Sequence, residues 1–186
     1  MSLAEKCINT IYKSATGSRR WRNFVTPLGG VAFTIFVTAV ILLGFLLDLI
    51  LNFPAIFSFP VNLIIGLPII IAGVLLSGYC IYYFIRSKGT PVPLNPPPKL
   101  VDKGPYAYIR NPMLTGAFTQ IFGFGILCNS LSLAFIITPL FIFLNFIELK
   151  KIEEPELEKR LGEEYTEYKK RVPMFFPWGK RKDNFL

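Results

Sequence analysis

From Phe24 to Asn52 the chain carries a single charged residue, Asp48, in a stretch otherwise made of apolar residues, glycines, a proline and threonines, closed by Asn52. At about 1.5 Å per residue such a run exceeds a hydrocarbon core of about 30 Å, so it is predicted to cross a bilayer as a tilted helix. A second run, Val61 to Ile85, ends in Tyr82-Tyr83-Phe84-Ile85-Arg86, the aromatic and basic cluster of a membrane interface. Met113 to Leu127 and Leu131 to Ile147 follow, joined by the uncharged Cys128-Asn-Ser130. Gly116, Gly123 and Gly125 permit close helix approach and predict that this pair forms a tight hairpin. With 52% hydrophobic and 17% charged residues, the composition excludes an ordinary soluble domain. The expected fold is all-α: a polytopic integral membrane protein with four to five transmembrane helices. The fifth helix arises if the first run breaks near Gly29-Gly30 or the last near Pro139.

The net charge of +8 is unevenly placed. Up to Ile147 there are ten basic and three acidic residues, and the basic ones cluster on one side of the apolar runs, as the positive-inside bias requires. That pattern reports topology rather than a nucleic-acid stripe, and it places both termini in the cytoplasm. There is no histidine, and Cys7, Cys80 and Cys128 are far apart, so a Cys/His zinc site and imidazole acid/base chemistry are excluded. No metal and no nucleic acid is expected. No cleavable signal is expected either; the first helix itself directs insertion.

One membrane domain is expected over residues 1–186. Residues 1–23 read as an interfacial amphipathic segment or a poorly ordered tail, 24–85 as two transmembrane helices, and 86–111 as a cytoplasmic connection. Residues 112–147 form the hairpin and 148–186 an amphipathic helix with a C-terminal cap. Asp48, one turn from the interface, is expected to be solvated. Ser87 to Pro98 is rich in proline and is expected to run extended, near polyproline geometry. Glu148 to Arg171 is expected as one helix with Leu157, Leu161, Tyr165, Tyr168 and Val172 along a single face. Beyond it lies the apolar strip Val172 to Trp178.

Polar residues concentrate between the second and third runs and after the fourth. Pro105, Pro112, Gly104 and Gly116 forbid one continuous helix through residues 104–116, so backbone groups there need other partners. A hairpin of the last two spans returns the chain to this stretch. Arg110 and Asn111 then offer donors for a carboxylate, and Glu153 or Glu154 an acceptor for an ammonium or for ribose hydroxyls. A ligand with an amino-acid end suits that set. Adjacent glutamates also simply favour a helix start.

Two segments carry a resemblance: Gly104-Pro-Tyr-Ala-Tyr-Ile-Arg-Asn-Pro-Met-Leu-Thr-Gly116, and Glu153 to Pro173 with its Glu-Glu-Pro-Glu-Leu-Glu start. Together they resemble the isoprenylcysteine carboxyl methyltransferase family and its phospholipid methyltransferase relatives, and the chain looks like a prokaryotic, archaeal-type member. The similarity covers Lys88 to Pro177; the earlier helices match in hydropathy alone. It implies S-adenosylmethionine as methyl donor and S-adenosylhomocysteine as product, bound at the cytoplasmic interface without a Rossmann domain. No Gly-x-Gly-x-x-Gly after a strand occurs here, in agreement. Carried over by position, the resemblance assigns cofactor contacts to Lys99, Leu100, Val101, Tyr106, Arg110, Asn111, Pro112, Met113, Leu114, Glu153 and Glu154. Of these, Arg110, Asn111 and Glu153 stand nearest the chemistry. Tyr106 also fits an interface belt, and Met113 and Leu114 fit plain helix packing.

This chain departs from the family in two places. Asn111 stands where the family usually has histidine, so no proton exchange near neutral pH is available there. Leu149 stands where the family places an arginine for the prenylcysteine carboxylate. Methyl transfer from a sulfonium to a carboxylate needs no general base, only orientation and exclusion of water. The expected acceptor is a lipophilic, isoprenylcysteine-like compound, small or protein-borne, reaching the site from the bilayer between the third and fourth helices. The alternatives are a lipid amine N-methyltransferase, an NADPH-dependent sterol or enone reductase, and a non-catalytic membrane subunit.

Overall fold

The computed structural model describes residues 3–90, 92 and 94–176, and all regular structure among them is helical. In order these are α1 (Leu3–Ala15), α2 (Arg19–Leu51), α3 (Val61–Arg86), a short 3-10 turn (Gly104–Ala107), α4 (Pro112–Leu127), α5 (Thr138–Glu148), α6 (Glu154–Leu161) and α7 (Glu163–Arg171). Two π-helical turns, Leu133–Ile137 and Leu149–Glu153, join α5 and α6 into one continuous helix from Leu133 to Leu161. Three helices are long and apolar enough to cross a membrane, and α4, with 16 residues, is a shorter apolar fourth. Helix α2 runs unbroken through Gly29 and Gly30, and α5 through Pro139, so neither break that a fifth span requires is present.

Leu28, Ile35, Leu42 and Leu49 recur every seven residues along α2 and all lie exposed. Such an apolar stripe is untenable in water and costs nothing against lipid tails. The architecture is that of an all-α membrane protein. We take the spanning part of the last long helix to end at Ile147, after which charged residues begin.

Close packing is concentrated between α3 and α4, which run antiparallel. A Cβ on Gly73 would sit 2.7 Å from the Gly116 carbonyl oxygen, and one on Gly66 would sit 2.8 Å from the Leu127 nitrogen. Gln120 Nε2 donates to Ser77 Oγ at 3.0 Å across the same seam. The expectation for the glycines is therefore corrected. Gly116 and Gly123 are used against α3, where side chains must be absent for the backbones to meet, and only Gly125, packed on Ala134, serves the hairpin. On its other face α4 joins the apolar core of Phe118, Ile121, Leu133, Ile137 and Phe141.

Three further expectations change. Asp48 is half-buried rather than freely solvated: it accepts the Ser132 amide at 2.8 Å and the Ser130 hydroxyl, capping the start of the last long helix. The Ser87–Pro98 connection is not extended, because the Thr90 amide and hydroxyl both bond the Asn95 carbonyl, at 3.0 and 2.9 Å, and close a loop. Asn95 Nδ2 ties that loop to Thr26 Oγ1 of α2 at 3.0 Å. The charged C-terminal helix is two helices, broken at Gly162, whose φ of +62° suits glycine. Its predicted apolar face survives the break, since Leu157 and Leu161 still pack with Tyr165, Tyr168 and Val172. The N-terminal segment is helical over Leu3–Ala15, as α1. It lies against α6, with Lys159 Nζ 2.7 Å from Asn9 Oδ1 and 4.6 Å from the Tyr12 ring centroid. Met1, Ser2, Pro91, Pro93 and residues 177–186, including Pro177 and Trp178 of the apolar strip, lie outside the described residues.

Candidate functional site

The chain approaches the site through Lys99, which is exposed, and then divides its next two side chains between two cores. Leu100 packs on Tyr165, Tyr168 and Val172; Val101 packs with Cys80 and Tyr106. Gly104, at φ +61°, lets the backbone lie on Tyr83, whose ring a Cβ would meet at 2.3 Å. The chain then turns sharply and sends Tyr106 inward, its ring edge-on to Phe84 at 5.4 Å. Burial drives the Tyr106 phenol well above the usual tyrosine range, so it stays neutral. Its carbonyl accepts the Tyr168 hydroxyl at 2.7 Å, fixing the turn to α7.

Arg110 is the junction of the site. Nη2 lies 2.5 Å from Glu154 Oε1, and Nη1 donates to the carbonyls of Lys169 and Val172 at 2.8 and 3.0 Å. Nε is buried with no partner among the described residues. The backbone amides of Arg110 and Asn111 donate to the carbonyls of Pro173 and Met174 at 2.8 and 3.2 Å, so the strip after α7 is laid along this turn. Asn111 Nδ2 has only a marginal 3.5 Å contact with the same Met174 carbonyl. Pro112, fully buried, starts α4 where its missing N–H leaves no bond unmade. Met113 faces the Cys80 cluster, and Leu114 the central core.

The two predicted glutamates differ sharply. Glu154 is buried and uses both oxygens, the second on Lys169 Nζ at 2.7 Å. Glu153 is partly buried and has no hydrogen bond or ion pair among the described residues. Desolvation, together with the nearby carboxylates of Glu148, Glu156 and Glu154, pushes its pKa up to about 7, with Arg160 opposing. Its charge is also felt at the Tyr106 and Tyr165 rings. The π-turn that ends at Glu153 places it; such turns often mark functional positions. The structure thus gathers Arg110, Asn111, Glu154 and Tyr106 by direct bonds to α7 and its strip. Lys99 stays at the surface.

Sequence reasoning passed over Glu156, Arg160 and Lys169, and read Tyr168 only as part of an apolar face. Glu156 and Arg160 form a buried pair at 2.9 Å, and Arg160 Nη1 reaches the Pro97 carbonyl at 3.2 Å, pinning the proline-rich loop to α6. Their four-residue spacing was the available signal. Lys169 gave none, because its partner Glu154 lies on a different helix. Among the described residues no group of three or more Cys, Asp or Glu is arranged to hold a metal ion.

A family model described as phospholipid methyltransferase matches residues 61–164, more than half of the chain. That range runs from the start of α3 to the start of α7 and contains every predicted site residue. A curated relative, the nickel-cobalt-cadmium resistance protein NccN of Alcaligenes xylosoxydans xylosoxydans, is 30% identical over 99 residues, covering 53% of this chain and 42% of that protein. The matched stretch thus spans less than half of that relative's length. No solved structure matches. The chain therefore belongs to the phospholipid methyltransferase family, which includes the isoprenylcysteine carboxyl methyltransferases it resembles.

Proposed function

We propose that this protein methylates a lipophilic acceptor at the membrane interface with S-adenosylmethionine as donor, the acceptor group being the carboxylate of an isoprenylcysteine-like compound. The observation that carries the reading is Glu153. It is a partly buried carboxylate with no partner among the described residues, its charge felt at Tyr106 and Tyr165, one residue from the Glu154–Arg110 junction. Its chemistry fits a cationic amino-acid end. The partnerless Arg110 Nε and the loosely held Asn111 amide are donors suited to the matching carboxylate. When bound, the cofactor supplies a methyl group on a sulfonium that leaves as a neutral thioether. Glu153 would hold the ammonium, Asn111 and Arg110 the carboxylate, and Leu100, Val101, Tyr106, Pro112, Met113 and Leu114 the apolar wall. Glu154 acts on this site as a positioning residue, through Arg110. An acceptor carboxylate, already ionised, would take that methyl group without the help of a base. No proton moves, so a chain without histidine suffices.

A second reading, methylation of a lipid amine, draws on the same residue. An amine must lose a proton, and a carboxyl titrating near 7 is suited to accept it. Leu149, 1% exposed in the π-turn, also has nothing to offer an acceptor carboxylate. Calorimetry with S-adenosylmethionine, S-adenosylhomocysteine and NADPH on the detergent-purified protein tests the cofactor assignment. Micromolar binding of the two sulfur compounds, weakened in Asn111→Ala and Glu153→Ala, is expected; binding of NADPH alone, or of none, overturns it. Transfer of labelled methyl groups to an S-farnesylcysteine derivative or to phosphatidylethanolamine then separates the two acceptors.

A further inference from the structure

A pocket of about 650 Å³ lies between the Gly104–Ala107 turn and the Arg86 end of α3, a volume in the range of small-molecule sites. Leu76 and Tyr79, three residues apart and so on one flank of α3, form one wall; Asp102, Lys103, Gly104 and Tyr108 form the other. None of Tyr106, Arg110, Asn111, Glu153 and Glu154 lines it, so it is separate from the candidate site. The Tyr79 ring is held by Tyr83, edge-on at 5.2 Å, and by Tyr82, nearly parallel at 6.5 Å. Arg86 is already engaged, its Nη1 donating to the Tyr82 hydroxyl at 2.9 Å. Asp102 and Lys103 are exposed, and their side chains make no hydrogen bond or ion pair among the described residues. Two opposite charges thus line one pocket without pairing.

That combination sorts ligands by charge. An anion is repelled by Asp102 and a cation by Lys103, whereas a molecule carrying both charges meets a partner for each. Exposed tyrosine faces add attraction for the cationic end, as in recognition of quaternary ammonium groups. Leu76, one turn below Tyr79, leads into the apolar part of a helix long enough to cross a membrane. We propose that this pocket holds the head of a zwitterionic membrane lipid, with its ammonium at Asp102 and the tyrosine faces, its phosphate on Lys103, and its tails along α3 past Leu76. The lipid is bound and not turned over. Its head ties α3 to the turn that carries Tyr106, and the assignment stands apart from the reading of the methyl acceptor.

Full-length protein in a non-ionic detergent is given equimolar phosphatidylcholine and phosphatidylglycerol of matched chains, and retained lipid is counted by native mass spectrometry. Phosphatidylcholine is the probe because its nitrogen is fully methylated and cannot be a methyl acceptor. The wild-type protein is expected to retain it at least fivefold over phosphatidylglycerol. Asp102→Asn should bring the two near parity, Asp102→Lys should reverse their order, and Tyr79→Ala should lower phosphatidylcholine without raising phosphatidylglycerol, each with an unchanged melting temperature. A wild-type preference for phosphatidylglycerol, or none, overturns the proposal, as does a preference for phosphatidylcholine that survives Asp102→Lys. Displacement of the lipid by S-adenosylhomocysteine overturns it too, because the pocket then belongs to the cofactor. Competition by glycerophosphocholine as effective as that of the intact lipid overturns the lipid as occupant in favour of a free zwitterion.

Discussion

Arg110 and Glu154 lie 44 positions apart in the chain, yet their side chains meet at 2.5 Å with 10% and 5% of their surfaces exposed. Removing one partner of a buried ion pair leaves an uncompensated charge and costs about 3–5 kcal/mol. The two removals are unequal here. Glu154 without Arg110 keeps Lys169, whereas Arg110 without Glu154 keeps only carbonyl partners. Glu154→Gln is therefore expected to lower the melting temperature more than Arg110→Gln, and both to loosen α7. Equal or negligible shifts in thermal denaturation would contradict the asymmetry.

Gly116 and Gly78 give a paired test of the α3–α4 seam. A Cβ on Gly116 would lie 2.4 Å from Ser77 Oγ and 2.9 Å from the Gly73 carbonyl, while a Cβ on Gly78 meets nothing within 4 Å. Gly116→Val should abolish recovery of monodisperse protein from detergent. Gly78→Ala should be neutral or stabilising by up to about 1 kcal/mol, the helix-propensity difference between the two residues. Yield and melting temperature of the two variants, measured side by side, decide the matter.

The apolar runs made the membrane helices legible because a bilayer demands long uncharged stretches and little else does. Site convergence was legible in outline, since a helical hairpin returns residues 153 and 154 to residue 110. Partner choice was not. Which of two adjacent glutamates pairs with Arg110 depends on helix phase, and the π-turn Leu149–Glu153 shifts that phase in a way no residue type announces. The glycine pattern said that helices meet closely without saying which, because Gly116 fits α3 and α5 alike until the angular position of α4 is known. The proline-rich loop misled because Thr90 and Asn95 bond each other across the turn, and such local bonds override the extended preference of proline.

Asp48 accepts the Ser132 amide and the Ser130 hydroxyl at the start of the last long helix, where free N–H groups have no intrahelical partner. Asp48→Ala should cost about 1–2 kcal/mol, the worth of a lost helix cap. Asp48→Asn keeps an acceptor oxygen and should cost less. Thermal unfolding in one detergent provides the comparison. Activity should be spared in both variants, since this cap lies at the opposite end of the last long helix from Glu153. Cofactor affinity that fell along with the melting temperature would contradict that separation.

Glu153 makes binding and stability respond to pH with opposite signs. Its pKa, pushed up to about 7 in the unliganded protein, lies above the ordinary 4.5, so folding favours the neutral form. The stability it contributes is fully present below pH 4.5 and is lost as the pH rises through about 7, by at most about 1.4 kcal/mol per pH unit. Glu153→Gln should therefore melt higher than the wild-type protein at pH 8 and no higher near pH 4.5. Binding runs the other way, because an ammonium needs the ionised carboxylate. S-adenosylhomocysteine affinity should rise as the pH passes about 7 and fall about tenfold per unit below it, and the Gln variant should bind weakly with a flat profile. Calorimetry from pH 6 to 8 beside thermal melts from pH 4.5 to 8 reads both signs. A flat wild-type profile, or a Gln variant that binds as tightly as the parent, would remove Glu153 from the cofactor site, because no other acid among the predicted site residues is free of a partner.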